Sequence, residues 1–139
     1  MRGKKLAIDK LKNSEYKLVV VKDDEIKYKS KEDSISSIVD LLDNRPELLK
    51  NAIVADKVIG RAVAMVCDYG KVKFCYGTIM SKGASNLFKK ANISYEAKNN
   101  VEYIKNRDNT DLCPIEKLTL KVDHSSEGIA QIKEFLNKK

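Results

Sequence analysis

The stretch Ala55-Asp56-Lys57-Val58-Ile59-Gly60-Arg61-Ala62-Val63-Ala64-Met65-Val66-Cys67 is the most apolar part of the chain, and it decides how the rest is interpreted. After Arg61 it is apolar on every side, which is typical of a helix buried in the middle of a layer. We therefore expect a central helix that starts near Ala55. A glycine inside a helix costs roughly 0.5–1 kcal/mol relative to alanine, so we expect another backbone to approach closely at Gly60.

The segments on either side of this stretch predict an α/β domain. Apolar periodicity and turn residues indicate strands at 16–21, 25–29, 71–80, 93–96 and 118–122, and helices near 6–13, after the cap Asp33-Ser34, after Ser81, at 101–104 and after Ser125. The strand at 25–29 alternates strictly, so it is expected to pair with 16–21 as a half-exposed hairpin strand. This order predicts a three-layer α-β-α architecture with a five-stranded mixed sheet, formed by residues 1–139 as one domain.

Length and composition exclude several classes of protein. The 139 residues are 42% apolar and 34% charged, which excludes collagen-like, disulfide-scaffold and fully disordered chains. No apolar run approaches the roughly 20 residues of a membrane span, and no apolar stretch follows the basic residues at 2–5, so a signal peptide is not expected. The three scattered cysteines suit a reducing compartment, which predicts a cytoplasmic protein in which Cys67 and Cys75 are small core residues.

The positive charge is concentrated in one region. The net charge is +7, and most of the excess lies within 69–98, at Lys71, Lys73, Lys82, Lys89, Lys90 and Lys98. Only four of the 27 basic residues are arginine, although arginine is the better bidentate reader of phosphate and guanine. We therefore favour a solvated lysine-rich surface, with an anion-binding or nucleic-acid-binding patch on the helix at 82–90 as the alternative.

Three segments carry a resemblance to a known family. They are 55–62, Met80-Ser81-Lys82-Gly83-Ala84, and Asn106-Arg107-Asp108-Asn109-Thr110-Asp111-Leu112-Cys113-Pro114-Ile115-Glu116. Together with the element order they resemble domain-of-unknown-function family 1893, a prokaryotic family with a cytidine deaminase-like fold and no established activity. The resemblance covers essentially the whole chain. It implies that fold, with a pocket between the helix starts at 55–61 and 81–84.

The sequence departs from the active deaminases at the positions that would hold a metal. Those enzymes bind Zn²⁺ through a His or Cys, followed two residues later by Glu, on one helix and through Pro-Cys-x-x-Cys on the next. Here 55–58 contains no His, Cys or Glu, and 81–84 contains no Cys. A zinc site needs nitrogen, thiolate or carboxylate ligands that converge, so we predict no metal, no cofactor and no zinc-dependent deamination.

Both helix starts contain candidate anion-binding residues. On a helix, Lys57 and Arg61 would share one face, and a carboxylate such as Asp56 near the N-terminus would be favoured by about 0.3–1 kcal/mol. Ser81 and Lys82 would add free N–H groups and a cation at the second helix start. The structural alternatives are a solvent-exposed first turn at 55–61 and simple N-capping by Ser81.

The loop at 106–111 supplies further polar candidates. Arg107 can grip a carboxylate or phosphate bidentately, with Asn106 and Asp111 beside it. The alternative is a salt bridge within the loop, between Arg107 and Asp108 or Asp111.

A cysteine follows this loop at the start of a predicted helix. Pro114 suits the first helical position, which places Cys113 at the cap and Glu116 at the third position. A thiol at a helix N-terminus can have a lowered pKa, so Cys113 is a candidate nucleophile with Asp111 or Glu116 as its base. No histidine is well placed to activate it, and a structural or ligand-contacting role for Cys113 is the favoured alternative.

These observations favour a cytoplasmic domain that binds a small anionic or nucleotide-like ligand. The ligand would lie between 55–61 and 81–84 and be closed in by 106–116. A metal-independent enzyme using Cys113, or an acid–base set of Asp56, Lys57 and Glu116, is the second hypothesis. The third is a nucleic-acid or protein interaction module built on the lysines of 71–98. No membrane partner is expected, and homo-oligomer formation is left open.

Overall fold

The computed structural model describes residues 2–32, 34–106 and 108–137. Over these residues the chain forms five strands and six α-helices in the order α1 (Arg2–Lys12), β1 (Leu18–Lys22), β2 (Glu25–Ser30), α2 (Ser34–Asn44), β3 (Ile53–Ile59), α3 (Arg61–Tyr69), β4 (Phe74–Ser81), α4 (Lys82–Ala91), β5 (Ser94–Val101), α5 (Pro114–Thr119) and α6 (Ser125–Asn137). A short 3-10 turn at Pro46–Leu48 lies between α2 and β3. No helix of the described chain is long and apolar enough to cross a bilayer.

The five strands form one mixed sheet in the order β2-β1-β3-β4-β5. β1 is antiparallel to both β2 and β3, whereas β3, β4 and β5 are parallel. Parallel neighbours need a crossover connection, and α3 and α4 provide these connections. The predicted hairpin and mixed sheet are confirmed.

Helices cover both faces of the sheet. Alternate residues of β1 point to opposite faces: Val19 and Val21 pack with Ala7 and Leu11 of α1. Leu18 and Val20 belong to the larger cluster on the other face, which includes Ile38 of α2, Val63 of α3, Phe88 of α4 and Ile132 of α6. This arrangement gives the predicted three layers, with α1 the only helix of the described residues on one side of the sheet.

The central apolar stretch is divided differently from the prediction. Residues 55–59 belong to β3, and the buried helix begins only at Arg61. The expectation of a helix from Ala55 is therefore wrong. β3 is a central strand whose first four residues, 53–56, are all buried. A strand covered on both faces is continuously apolar, so its sequence resembles that of a buried helix.

Two further assignments near the C-terminus are wrong. Residues 118–122 were expected to form a strand, but α5 occupies Pro114–Thr119. Residues 101–104 were expected to be helical, but β5 extends to Val101 and bends follow it. Asp33, expected to cap α2 together with Ser34, lies outside the described residues.

Candidate functional site

A cleft of about 540 Å³ opens at the carboxyl end of β3. Ligands of α/β proteins commonly bind beyond the carboxyl ends of the strands, where the connecting helices diverge. The first turns of α2 and α3 form two of its walls, and the segments around Ile104 and 113–116 form a third. Most of the lining side chains are apolar, namely Ile35, Val58, Ala62, Val63, Ile104, Pro114, Ile115 and Phe135.

Two lysines border this apolar cleft. Lys17 and Lys57 lie side by side, since the Lys57 backbone N–H donates to the Lys17 carbonyl at 3.1 Å. Neither lysine has an ion pair among the described residues. The Lys57 Nζ makes only a long contact of 3.4 Å, to the Ser14 carbonyl. The pair therefore gives the cleft two positive charges that no ion pair within the described part of the chain neutralises.

Asp56 is fully buried at the base of this region. Its Oδ1 accepts hydrogen bonds from the Ser34 hydroxyl at 2.8 Å and from the Val58 N–H at 3.1 Å. A buried carboxylate is tolerated when such bonds replace its hydration. Because it joins the middle of β3 to the start of α2, Asp56 helps to hold one cleft wall in position. It lies within a strand, not at the helix N-terminus where the sequence placed it.

Glu116 is the second buried carboxylate, with an exposed fraction of 3%. Its Oε1 accepts from the Arg61 N–H at 3.0 Å, and its Oε2 accepts from the Ile104 N–H at 2.6 Å. Glu116 therefore caps α3, whose own N-cap residue is Gly60 and has no side chain. It also holds the segment around Ile104 against the start of α3.

Gly60 makes this contact possible. A Cβ at this position would lie 3.0 Å from Glu116 Oε1 and 3.1 Å from Ile104 Cγ1. Its φ of −100° is open to any residue, so space, not backbone conformation, requires the glycine here. The expectation of a close backbone approach at Gly60 inside a helix is therefore wrong: Gly60 is the N-cap of α3, and the groups that approach it are side chains.

Arg61 turns away from the cleft. Its Nε donates to the Thr119 carbonyl at 2.8 Å and its Nη2 to the Val122 carbonyl at 2.5 Å. Its aliphatic stem lies against the first turn of α4, where a Cβ on Gly83 would be 2.8 Å from Arg61 Cγ. The stem therefore fills the space between the starts of α3 and α4, where the resemblance placed a pocket.

The start of α4 does not contribute to the cleft lining. Ser81 is almost fully buried, and its Oγ accepts from the Ala84 N–H at 3.1 Å. This is the predicted N-cap. Lys82 is exposed to solvent. Neither residue lines the cleft formed around Lys57.

The loop at 106–111 is held by its own contacts. Asn106 accepts the Thr110 N–H at 3.1 Å through its side-chain oxygen. Asp111 is exposed and paired with Lys117, and this hydrogen bond, together with one from the Leu112 N–H, lowers the pKa of the Asp111 carboxyl. Arg107 lies outside the described residues. The described part of this loop therefore brings neither Asn106 nor Asp111 to the cleft lining.

Cys113 lines the cleft and is partly exposed. It occupies the N-cap of α5, but its thiol makes no capping hydrogen bond. The carboxylates proposed as its base are engaged elsewhere, Asp111 with Lys117 and Glu116 with two backbone N–H groups. Cys67 and Cys75 are buried, as expected, and burial together with the neighbouring Cys67 raises the pKa of the Cys75 thiol.

Several cleft residues were not anticipated from the sequence. Lys17, Ser34, Val58, Ile104 and Phe135 come from five separate segments of the chain. One signal was present for Val58, an apolar residue that directly follows the candidate Lys57. Among the described residues, no three His, Cys, Asp or Glu side chains are grouped so that they could hold a metal ion.

The fold and site define a mixed α/β protein with an apolar cleft bordered by lysines at the end of its central strand. Residues 6–136 match the sequence profile of a family described as a domain of unknown function, DUF1893. The chain therefore belongs to the DUF1893 family.

The solved structures include a similar protein. The crystal structure of a DUF1893-family protein, TM1506 from Thermotoga maritima, superposes with a TM-score of 0.85 at 21% identity. The alignment covers 94% of this chain and 87% of that one. At this identity the likeness concerns the fold alone. No curated protein matches the sequence significantly.

Proposed function

We propose that this protein binds a small anionic ligand with an apolar or aromatic portion, such as a nucleotide, in the cleft at the end of β3. The observation that carries the proposal is the pair Lys17 and Lys57, which border the cleft without an ion pair among the described residues. An apolar site with a few placed polar groups is the usual composition of a small-molecule pocket.

The electrostatics of the cleft favour an anion. The first turn of α2 lines it, and helix N-termini carry partial positive charge, whereas the N-terminus of α3 is already capped by the Glu116 carboxylate. The Glu116 carboxylate accepts hydrogen bonds from the Arg61 and Ile104 N–H groups. Its negative charge is therefore directed at the protein backbone. A phosphate or carboxylate at the mouth would meet Lys17 and Lys57.

The apolar lining suits the rest of such a ligand. Val58 is 40% exposed, which is high for an apolar residue of a central strand, and Ile104, Ile115 and Phe135 line the same cleft. A base or similar planar group placed here would bury this surface. Each Å² of apolar area removed from water contributes roughly 25 cal/mol.

We also propose a cytidine deaminase-like scaffold and a cytoplasmic location. The antiparallel β2-β1-β3 edge, the three parallel strands and the helices α3 and α4 after β3 and β4 support the scaffold. The Arg61 stem occupies the space between the two helix starts, so the ligand would bind on the α2, α5 and α6 side of α3. The unpaired cysteines support a reducing compartment.

One observation favours a metal-independent enzyme as the second candidate. Cys113 is partly exposed and lines the same cleft as Lys57, so a thiol and an amine face one ligand space. A Cys113→Ser variant that still binds ligand but no longer converts it would favour the enzyme. If both the wild type and the variant bind the ligand and neither changes it chemically, binding alone is favoured.

The test is a thermal-shift comparison with defined probes. The four common nucleoside monophosphates, their nucleosides and inorganic phosphate are each added at millimolar concentration. A ligand at ten times its Kd stabilises the folded state by about 1.4 kcal/mol, which raises the Tm by roughly 4–6 °C for a chain of this size. We expect a nucleotide to exceed both its nucleoside and phosphate.

Matched variants locate the site. Val58 lines the cleft. Glutamate and glutamine have nearly equal volumes, so Val58→Glu and Val58→Gln fill the cleft to the same extent, but only Val58→Glu adds a negative charge. We expect Val58→Glu and Lys57→Gln to abolish the shift, and Val58→Gln and the distant Lys98→Gln to retain it. A shift that survives in Val58→Glu and Lys57→Gln, or no shift with any probe, would contradict the proposal.

A further inference from the structure

Three loops meet at the end of the sheet opposite the cleft. They precede the parallel strands β3, β4 and β5, whose first residues lie in register at Ile53, Phe74 and Ser94. Backbone hydrogen bonds join the first two loops: the Asn51 N–H donates to the Lys71 carbonyl at 2.8 Å, and the Lys73 N–H to the Ala52 carbonyl at 2.9 Å. The first two loops are therefore joined directly, and the third begins the neighbouring strand in register with them.

Five exposed lysines occupy the surface at this end of the sheet, and we call them the lysine cluster: Lys50, Lys71, Lys73, Lys89 and Lys90. None of them has an ion pair among the residues that the structure describes. Lys89 and Lys90 lie in the last turn of α4, where a helix dipole favours cations. The other three lie outside any helix, so helix stability does not explain them.

Two lysines of the basic region at 69–98 lie away from this surface. Lys82 lies at the carboxyl end of β4 and Lys98 lies within β5, so neither belongs to the cluster. Asp68, at the end of α3, accepts a hydrogen bond from the Ser125 hydroxyl at 2.6 Å. The acidic turn at 23–24 lies at this same end of the sheet, next to the start of β3, since Val21 pairs with Ile53. It is on the side of β3 that faces away from β4 and β5.

An exposed aromatic residue, Tyr69, lies at this end of the sheet. Tyr69 ends α3 and is 56% exposed, the highest value among the exposed large hydrophobic residues described. The next residue, Gly70, packs against Leu49, since a Cβ on Gly70 would lie 3.2 Å from Leu49 Cβ. The segment 69–71 therefore packs against the segment that carries Leu49 and Lys50.

Lys71 has a backbone conformation that a lysine rarely adopts. Its φ is 65°, in the left-handed region where residues with a Cβ are strained and glycine is not. A lysine at this position costs stability that a glycine would not, which is consistent with a role for its charge.

We propose that this end of the sheet binds single-stranded nucleic acid, with phosphates on the lysine cluster and a base stacked on Tyr69. Stacking on an aromatic ring beside a positively charged groove is how sequence-tolerant single-strand binders work. Lysine offers a mobile point charge, not the planar fork of arginine, so the binding is independent of sequence. The site is separate from the cleft and does not depend on the function proposed for it.

The test is fluorescence anisotropy of labelled 15-nucleotide RNA and DNA of one mixed sequence, titrated with the full chain. Five phosphate contacts predict a slope of about −3.5 for log K against log salt concentration. The affinity should therefore fall about 100-fold between 50 and 200 mM salt. The RNA and DNA arms show whether the sugar contributes.

Variants separate this surface from general charge. Lys50→Ala/Lys73→Ala and Lys82→Ala/Lys105→Ala each remove two exposed positive charges, but only the first pair lies in the lysine cluster. We expect the first to reduce the salt slope by about 1.4 and the second to leave it unchanged. Tyr69→Ala should weaken binding at least about 5-fold, as loss of a stacked base does, whereas Tyr69→Phe should not.

Lys71→Gly distinguishes a loss of nucleic-acid binding from a loss of folding stability. We expect weaker binding together with an unchanged or higher thermal midpoint, because the glycine relieves the left-handed strain. Four outcomes would overturn the proposal: no binding at 50 mM salt, equal losses in the two double variants, displacement by polyglutamate as effective as by unlabelled oligonucleotide, or binding to phosphatidylglycerol vesicles without binding to either oligonucleotide.

Discussion

Glu116 shows how far a single residue can be interpreted from its neighbours in the chain. The sequence placed it correctly at the third position of a helix that begins at Pro114. Its partners, however, are the N–H groups of Arg61 and Ile104, which are distant in the chain. Local spacing therefore suggested a base for Cys113, whereas the fold uses the carboxylate as the cap of a different helix.

Replacing Glu116 by glutamine tests this capping role. An amide has one oxygen where the carboxylate has two, so one backbone N–H would face an NH₂ group. Hydrogen bonds to charged groups contribute about 1.5–3 kcal/mol each, and we expect the free energy of unfolding in urea to fall by about 2–3 kcal/mol. Glu102→Gln, at an exposed position on the same segment, should change it by less than about 0.5 kcal/mol. Equal stability of the two variants would contradict the cap.

At the scale of elements, the β3–α3 junction explains the main error of the sequence prediction. Strand and helix form one uninterrupted apolar run, and periodicity alone does not separate a doubly buried strand from a buried helix. Gly60 marks the boundary, but it was interpreted as a close approach within a helix. The hairpin of β1 and β2 was predictable because β2 alternates strictly between exposed and partly buried residues.

α5 was missed for a different reason. Residues 118–122 alternate between apolar and polar types, as a strand does, yet Thr119 is buried within α5 and its hydroxyl donates to the Ile115 carbonyl. Arg61 then binds the carbonyls of Thr119 and Val122. This anchor comes from another element, so no local pattern in 114–122 contains it.

Substituting Arg61 by lysine tests that anchor. Lysine keeps the charge but lacks the planar fork that reaches two carbonyls at once. We expect a loss of about 1–3 kcal/mol in the free energy of unfolding and faster hydrogen exchange of the α5 amides. Arg45→Lys is the matched control, since the Arg45 side chain is 59% exposed. Unchanged exchange in α5 would show that Arg61 does not hold it.

At the scale of the whole molecule, the parallel half of the sheet separates two positively charged regions. The cleft with Lys17 and Lys57 lies at the carboxyl end of β3, and the lysine cluster lies at the opposite end. The sequence indicated the charge excess and the mixed α/β architecture, although the predicted order lacked β3 and contained a strand at 118–122. It did not indicate which lysines converge, because that depends on which loops the sheet brings together.

The most direct test of the central claim is an NMR titration of ¹⁵N-labelled protein with the nucleoside monophosphate that gives the largest thermal shift. If the cleft binds it, the largest amide shift changes will fall at Lys17, 57–63 and 113–116. Changes confined to 50–52 and 69–73, or no saturable change at all, would contradict the account.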